Sequence, residues 1–251
     1  DCVRGHPTLC DEFKNTRLDP GGFAEQVRIP MLNLTKDTLK IPEEVTDEEA
    51  VFIEPLACSV HAIKLMHLHP GDTVLIIGLG VMGLLNAQLA QLGGAGRVIG
   101  CDLRADRRAF ADENGCDDVI DSDVNALMGL TNGRGAECVI VGPPSAAAVE
   151  FGLACVAPGG AVLLFAPMPE DEELTMNFKE FYFKEHTLVG SYSCDAGDTR
   201  EALKLLQKKV ITPKAFLTHR YGLNSVAEAL MATLKGEDGF LKAAIIPGQT
   251  G

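Results

Sequence analysis

The sequence has neither a long apolar run nor an excess of positive charge. Its 251 residues contain no run of about 18 apolar residues, which excludes a typical transmembrane helix. The 22 lysines and arginines are outnumbered by 35 aspartates and glutamates, so the formal net charge is −13 at pH 7. Nucleic acid and anionic membranes attract positive surfaces, and we expect neither as a partner. No basic segment followed by an apolar one opens the sequence, so we expect no signal peptide and a cytoplasmic protein.

A disulfide framework is also lacking, although the chain has eight cysteines. Six of them lie singly along the chain, several with apolar neighbours: Cys58, Cys101, Cys116, Cys138, Cys155 and Cys194. We expect these to be buried thiols in a reducing compartment. Cys2 and Cys10 differ, because seven residues separate them in a polar, loop-like segment. Two cysteines provide half of the four ligands that a structural zinc ion requires.

Residues 73–102 contain the parts of a dinucleotide-binding unit. The apolar run Thr73–Ile77 predicts a buried strand, and the pattern of Val81–Leu92 predicts a helix. A G-x-G-x-x-G motif that begins at Gly78 joins them. Its glycines allow a tight turn, close approach of a pyrophosphate to the backbone, and close packing of the helix on the strand. The helix N-terminus offers free N–H groups to the phosphates. The cofactor-binding residues predicted here are Gly78, Gly80, Val81, Met82 and Gly83.

The acidic residue of this unit predicts which dinucleotide binds. Asp102 ends the second predicted strand, 19 positions after Gly83. Its carboxylate can accept hydrogen bonds from both ribose hydroxyls and repels a 2′-phosphate, which favours NAD over NADP. Arg104, Arg107 and Arg108 follow and can contact the ribose or a phosphate, although a solvated helix face is an equal alternative for Arg104 and Arg108. For the whole unit, the alternative is a tight turn in another kind of α/β protein.

Strand and helix patterns continue to alternate after Asp102 and predict an α/β, doubly wound parallel sheet. The predicted strands are residues 73–77, 97–101, 118–121, 136–141, 161–166 and 187–192. Residues 158–160, Pro-Gly-Gly, are interpreted as the turn before the fifth strand. Ligands bind at the carboxyl ends of such strands. We therefore expect residues 78–82, 102, 142–143, 165–167 and 190–193 to converge on one dinucleotide.

The flanking segments do not continue this alternation, and we expect them to form a second unit together. Residues 21–30 predict a strand, and residues 31–42 an irregular connection with short strands. Thr46 and Glu49 have the spacing of a helix capping box, and Pro55 is expected to interrupt that helix.

Glu54 lies in apolar company, between Val-Phe-Ile and Pro-Leu. A buried carboxylate needs a partner or a cation. Two interpretations are open at this point: a metal ligand or catalytic acid, and a helix-end acid paired with a lysine or arginine. His61 lies seven positions further on, on roughly the same helix face, where a hydrogen-bonded core histidine is commoner than a ligand.

Taken together, the motifs resemble those of zinc-dependent medium-chain dehydrogenase/reductases, in the branch of sorbitol (polyol) and threonine dehydrogenases. The resemblance extends over essentially the whole chain. Its segments are GGFAEQV from Gly21, IEPLACSVHA from Ile53, GLGVMG from Gly78, the acid Asp102, VAPGGAVLLFA from Val156 and VGSYS from Val189. Several motifs in the right order are more specific than any one of them.

The resemblance implies three parts of the chain. Residues 1–56 would be part of a GroES-like, β-rich catalytic domain, residues 57–193 a Rossmann domain that binds NAD, and residues 194–251 a return to the catalytic domain. It also implies a homodimer or homotetramer. Family members carry a further N-terminal segment with more of the zinc ligands and the proton relay. We therefore expect this sequence to be a fragment that binds NAD but has an incomplete zinc site and alcohol pocket.

The site residues implied by the resemblance match positions of this chain one by one. Glu54 matches an acid at the catalytic zinc, and Cys2 and Cys10 match two of four cysteines around a structural zinc. Arg107 matches a basic residue at the adenosine ribose. The strand-end residues that flank the nicotinamide are Leu164, Ala166, Gly190, Ser191 and Tyr192.

The implied activity is NAD-dependent, zinc-assisted hydride transfer from a small secondary alcohol or polyol, or the reverse ketone reduction. Two alternatives remain. One is a zinc-free quinone or enoyl reductase of the same superfamily, against which Asp102, Glu54 and the cysteine pair argue. The other is an NAD-binding module without catalysis.

Overall fold

Short apolar runs form the strands of a parallel sheet in the computed structural model, which describes residues 4–248 of the chain. The strands are β1 (Thr73–Ile77), β2 (Arg97–Cys101), β3 (Asp118–Ile120), β4 (Ala136–Val141), β5 (Val156–Leu164), β6 (Thr187–Gly190), β7 (Leu217–Gly222) and β8 (Lys242–Ile246). Within the described residues, the first six form one sheet in the order β3-β2-β1-β4-β5-β6, and every neighbouring pair is parallel. This is the order of a doubly wound dinucleotide-binding fold, and the predicted fold class is confirmed.

The segments between the strands form helices, and short 3-10 turns lie at Pro7–Leu9, Pro213–Phe216 and Leu223–Ser225. The helices are α1 (Asp11–Asn15), α2 (Met31–Asp37), α3 (Asp47–Ala50), α4 (Ile53–Met66), α5 (Val81–Leu92), α6 (Ala105–Asn114), α7 (Val124–Leu130), α8 (Ala146–Cys155), α9 (Phe178–Phe183), α10 (Ala196–Gln207) and α11 (Val226–Lys235). Crossovers between parallel strands are right-handed, so the reversal of strand order between β1 and β4 places the connecting helices on opposite faces of the sheet.

The chain divides into two units, one of residues 58–192 and one of the residues before and after it. The assignment of the sequence-predicted domains 1–56, 57–193 and 194–251 stays a prediction. The second of the two units holds the parallel pair β7–β8 and, among the described residues, five whole helices and the start of α4. The GroES-like identity of this flanking unit stays a prediction.

The core of the sheet unit consists of apolar side chains from the central strands. Leu75, Ile99, Val139 and Val162 are all completely buried. Removing such side chains from water contributes roughly 1.5–3 kcal/mol each to folding.

Of the six cysteines expected to be buried, Cys58 is only half-buried and Cys194 is buried in the flanking unit. The other four share the interior of the sheet unit, as expected. They are Cys101, Cys116, Cys138 and Cys155, and none of them is in a disulfide. Burial raises the pKa of Cys101 to about 11 and the pKa of each of the other three to about 12. All four are therefore protonated at neutral pH.

Two expectations for the flanking unit are wrong. Residues 21–30 do not form a strand: a single antiparallel bridge between Asp19 and Arg28 is present there, and an alternating pattern without a partner strand cannot build a ladder. Residues 31–42 contain helix α2 instead of an irregular connection. The capping box at Thr46 and Glu49 is present as predicted.

Two proline-containing segments also differ from expectation. Pro55 does not interrupt the helix, because it lies in the first turn of α4, where no N–H donor is needed. Strand β5 begins at Val156 and runs through the Pro-Gly-Gly segment that was predicted as a turn. Its pairing with β4 shifts register between Ala136 and Cys138, which accommodates the irregular segment.

Candidate functional site

The carboxyl ends of the parallel strands lie in one row across the sheet. The register pairs Ile77 with Cys101 on one side and with Val141 on the other, then Val141 with Leu164 and Leu164 with Gly190. The residue after each of these positions therefore lies at the same edge. The five strand ends named from the sequence are brought together there, as the topology requires.

The glycines of the turn after β1 have distinct structural reasons. Gly78 has φ +89°, a conformation that side chains with a Cβ rarely adopt. At Gly83, a Cβ would lie 1.9 Å from the carbonyl oxygen of Gly78. At Gly80, by contrast, a Cβ would meet nothing nearer than Nη1 of Arg107, at 3.8 Å. Gly80 is thus not required by the described protein packing, and it leaves a concave backbone that a pyrophosphate can approach.

Helix α5 presents free donors at this turn. It begins at Val81 after Gly80, and no side chain of the described chain caps it. The N–H groups of Val81, Met82 and Gly83 belong to the first turn, which has no intrahelical acceptors. Together with the positive end of the helix dipole, they suit an anionic group.

Asp102 holds the loop that borders this turn. Its Oδ2 accepts a hydrogen bond from the N–H of Leu79 at 2.8 Å, and its Oδ1 accepts one from the N–H of Arg104 at 2.9 Å. A carboxylate has about four lone-pair positions. Both oxygens therefore keep capacity for ribose hydroxyls while the backbone fixes their direction.

The three arginines after Asp102 have different roles. Arg104 donates to the carboxylate of Asp106 through Nε at 2.9 Å and Nη2 at 2.7 Å. Arg108 donates to the carbonyl oxygen of Asp102 at 2.6 Å and so stabilises the loop. Arg107 is half-buried and reaches the space in front of Gly80. Burial, followed by the charge of Arg104, lowers the pKa of Arg107, which makes a bound anion a favourable partner.

A cavity of about 420 Å³ opens between the ends of the central strands. Gly78, Asp102, Ser122, Pro143 and Phe151 are among its lining residues. The acid at the polar edge of the cavity suits a ribose, and the apolar walls beyond it suit a planar base.

The residues assigned to the nicotinamide lie further along the same row. Leu164 and Ser191 are joined directly, because the N–H of Ser191 donates to the carbonyl oxygen of Leu164 at 3.0 Å. Ala166 is half-buried two positions after β5, and Tyr192 is 53% exposed after β6. The structure places these side chains at the strand ends, and their contact with a nicotinamide stays a prediction.

Glu54 is exposed, so the expectation of a buried carboxylate is wrong. It lies in the first turn of α4 beside two thiols. A carboxylate oxygen of Glu54 lies within 4.8 Å of Sγ of Cys58, which is one turn further along the same helix. It also lies within 4.8 Å of Sγ of Cys194, which belongs to the same flanking unit as Glu54. Lys242, in β8 of the flanking unit, interacts electrostatically with Glu54. Burial lowers the pKa of Lys242, and the negative charge of Glu54 raises it. Both interpretations of Glu54, a metal ligand and an acid near a lysine, therefore have partners in the structure.

The closeness of Cys58 and Cys194 to Glu54 was not predicted, since both were grouped with the buried cysteines. The signal for Cys58 was available, since residues four apart on a helix face the same way. No local signal marks Cys194, because its approach to Glu54 depends on the fold.

Of the two cysteines expected at a structural zinc site, the structure describes Cys10. Cys10 directly precedes α1 and lines an apolar cavity of about 510 Å³ that Cys194 also lines. Cys2 lies outside the described residues.

Among residues 4–248, no helix is long and apolar enough to cross a membrane.

Comparison with known proteins identifies relatives over almost the whole chain. The family model for zinc-binding dehydrogenases matches residues 81–208. A sorbitol dehydrogenase of Halalkalibacterium halodurans is 34% identical over 246 residues, which cover 94% of this chain and 69% of that protein. An L-threonine 3-dehydrogenase of Bacillus licheniformis is 29% identical over 254 residues, covering 98% of this chain and 70% of that protein.

A solved structure is similar over the same extent. The crystal structure of a zinc-binding dehydrogenase from Sinorhizobium meliloti 1021, bound to NADP, superposes with a TM-score of 0.86. It is 28% identical in sequence and covers 98% of this chain and 72% of its own chain. The described fold therefore matches that of a protein known to hold a dinucleotide.

Proposed function

The chain belongs to the zinc-binding dehydrogenase family, and on that premise we propose that it oxidises a small secondary alcohol or polyol with NAD, or reduces the corresponding ketone. Membership makes it an oxidoreductase. The observation that carries the proposal is the turn after β1: Gly80 is open on the ligand side, and Asp102 is fixed beside it by two backbone donors. The sorbitol and threonine dehydrogenases among its relatives support an alcohol substrate.

The preference for NAD rests on Asp102. A 2′-phosphate on the adenosine ribose would meet a carboxylate whose orientation is fixed, and like charges in contact are unfavourable. The Sinorhizobium relative was bound to NADP, so the preference for NAD depends on the residues of this chain. Arg104 does not offset the carboxylate fully, because its guanidinium is paired with Asp106.

A zinc ion fits the donors around Glu54. Carboxylate oxygen and thiolate sulfur are both ligands that zinc accepts, and the carboxylate of Glu54 has a thiol within 4.8 Å from Cys58 and from Cys194. When bound, zinc supplies a Lewis acid that polarises the alcohol oxygen. Glu54 would hold a negative charge next to the metal, and Cys10 with Cys2 would form half of a separate structural zinc site.

The remaining steps belong to residues of the sheet edge. The first-turn N–H groups of α5 and Arg107 bind the pyrophosphate, and Asp102 orients the adenosine ribose. Leu164, Ala166, Ser191 and Tyr192 position the nicotinamide ring at the ends of β5 and β6. This positioning fixes the face from which hydride is transferred and excludes water from it. We also expect a homodimer or homotetramer, which the molar mass in solution tests.

The test is made in the complete protein and compares Glu54→Ala with Glu44→Gln, which removes a charge from an exposed acid of the same unit. Glu54→Ala is expected to lower polyol-dependent NADH formation at least about tenfold and to reduce the bound zinc, because groups around a metal typically contribute 10- to 100-fold. NADH affinity, measured by fluorescence titration, should change less than about twofold, since Glu54 lies outside the coenzyme site. Glu44→Gln should change none of the three.

Two results would contradict different parts of the proposal. Equal turnover and equal zinc content in Glu54→Ala would remove Glu54 from the metal site. Absence of saturable NADH binding by the native protein would refute the coenzyme site itself.

A further inference from the structure

A second cavity lies away from the row of strand ends, within the sheet unit. It measures about 330 Å³ and is bounded by helix α8, by helix α9 and the segment before it, and by the start of β6. Its polar lining residues are Glu150, Thr175, Asn177, Glu180 and His186, and its apolar ones include Leu153, Met176 and Phe181. None of these residues takes part in the dehydrogenase site described above.

His186 is the unusual member of this lining. The residue is only 9% exposed, and its Nε2 is buried without a hydrogen-bond partner in the described part of the chain. Its ring packs edge-on against Phe181, with ring centroids 6.0 Å apart, and the backbone N–H of His186 donates to the carbonyl oxygen of Phe181. A buried polar atom left without a partner costs roughly 1–3 kcal/mol, which a ligand in the cavity would recover.

The charge of the cavity selects the kind of ligand. Glu150 and Glu180 are the charged lining residues, and the chain as a whole carries −13. Burial, followed by the charge of Lys184, lowers the pKa of His186 and keeps its imidazole neutral at neutral pH. With its proton on Nδ1, the imidazole offers a lone pair at Nε2. Two carboxylates and one such nitrogen are three acceptors, which match a cationic donor.

The geometry favours an organic cation over a metal ion. The ligand atoms of Glu150, Glu180 and His186 do not all lie within 4.8 Å of one another, so these described residues do not form a preassembled metal site. A primary ammonium ion tolerates a wider spacing of acceptors than a metal ion does, because it carries three N–H donors and holds each acceptor at about 2.9 Å from its nitrogen. The surfaces of Leu153, Met176 and Phe181 provide contact for a short alkyl chain.

We propose that this cavity binds a small primary alkylammonium ion, with Nε2 of His186 accepting one N–H and the carboxylates of Glu150 and Glu180 neutralising the charge. Glu180 is already paired with Lys184, whose Nζ lies 2.5 Å from its Oε1. The ligand therefore competes with Lys184 for that carboxylate. Removal of Lys184 should therefore raise the affinity for the alkylammonium ion. If the cavity only accepted alkyl chains, removal of Lys184 would leave the affinity unchanged.

The experiment titrates the whole protein at pH 7.5 with n-butylammonium chloride, at constant ionic strength, and follows binding by ligand-observed NMR. The neutral analogue 1-butanol is titrated in parallel. We expect saturable binding of butylammonium, at least about tenfold weaker binding to His186→Leu, and several-fold weaker binding to Glu150→Gln. Lys184→Met should bind more tightly than the native protein, because it releases Glu180.

The matched control is Glu185→Gln, which removes an exposed charge next to His186 that does not line the cavity. It should bind butylammonium as the native protein does. Any of three results overturns the proposal: 1-butanol binding as well as butylammonium, equal binding by His186→Leu, or equal weakening by Glu185→Gln and Glu150→Gln. If His186→Leu fails to fold, as judged by its thermal melt, the proposal is tested by Glu150→Gln and Lys184→Met, which both change side chains at the surface. Native affinity in both of these variants would then overturn it.

Discussion

The two glycines Gly80 and Gly83 predict opposite outcomes for the same substitution. An added Cβ at Gly80 would meet nothing within the described protein nearer than 3.8 Å, and the backbone there has an ordinary φ of −72°. Gly80→Ala should therefore fold normally and lose up to about 1 kcal/mol, the usual cost of alanine at a helix N-cap. A methyl group would occupy the surface that the pyrophosphate approaches. We expect NADH affinity to fall at least about tenfold, which corresponds to about 1.4 kcal/mol.

At Gly83 the same methyl group meets protein. Its Cβ would lie 1.9 Å from the carbonyl oxygen of Gly78, about 1.5 Å inside ordinary contact. The atom it meets is backbone, so the helix or the turn has to move. Overpacking of this kind costs typically 1–3 kcal/mol, and the severity of this overlap places Gly83→Ala at or above the upper end of that range.

The assay measures both properties on both variants. Chemical denaturation gives the free energy of unfolding, and NADH fluorescence titration gives the dissociation constant. Native stability with weakened NADH binding is expected for Gly80→Ala, and reduced stability for Gly83→Ala. The reasoning is refuted if Gly80→Ala binds NADH as the native protein does, or if it is as unstable as Gly83→Ala.

Two further predictions concern carboxylates. Asp102→Asn should raise the affinity ratio of NADPH to NADH at least about tenfold in fluorescence titrations, because the charge that repels a 2′-phosphate is gone; an unchanged ratio would assign coenzyme choice to other residues. The hydrogen bonds from Lys209, and then the backbone N–H of Thr46, lower the pKa of Glu49 to about 2, so its stabilisation is complete above pH 4.5 and is lost as the pH falls towards 2. Glu49→Gln should therefore cost about 1–2 kcal/mol at neutral pH, after allowance for the half-exposed Lys209, and progressively less on acidification. Denaturation at several pH values measures this, and a constant difference between the two proteins at all of them would contradict it.

Local signals were sufficient for the first strand and helix of the sheet unit. The run Thr73–Ile77, the glycine turn and the pattern of Val81–Leu92 each specify their own conformation, and the observed bounds of β1 and α5 agree with those predicted. The place of Asp102 beside the glycine turn could be predicted because its distance from the glycines is set by one helix and one strand, and its role in coenzyme binding stays a prediction.

Long-range contacts explain what the sequence did not reveal. Helix α2 has a weak local pattern, and its C-terminal end is tied to α10 by a 2.5 Å hydrogen bond from Thr199 to Asp37 and by another from Arg200 to the carbonyl oxygen of Lys36. The approach of Cys194 to Glu54 likewise joins residues far apart in sequence. His186 had no local signal either, since burial and the loss of a hydrogen-bond partner are properties of the packed structure.

Local unfolding of the sheet unit can be measured through the four protonated thiols in its interior. A thiol-directed reagent attacks the thiolate, and Cys101, Cys116, Cys138 and Cys155 are both shielded from solvent and held with pKa values of about 11 to 12. Each becomes reactive when the strand or helix around it opens. The rate at which each cysteine is alkylated thus reports the population of the open form around it, or the opening rate itself when alkylation is faster than reclosing.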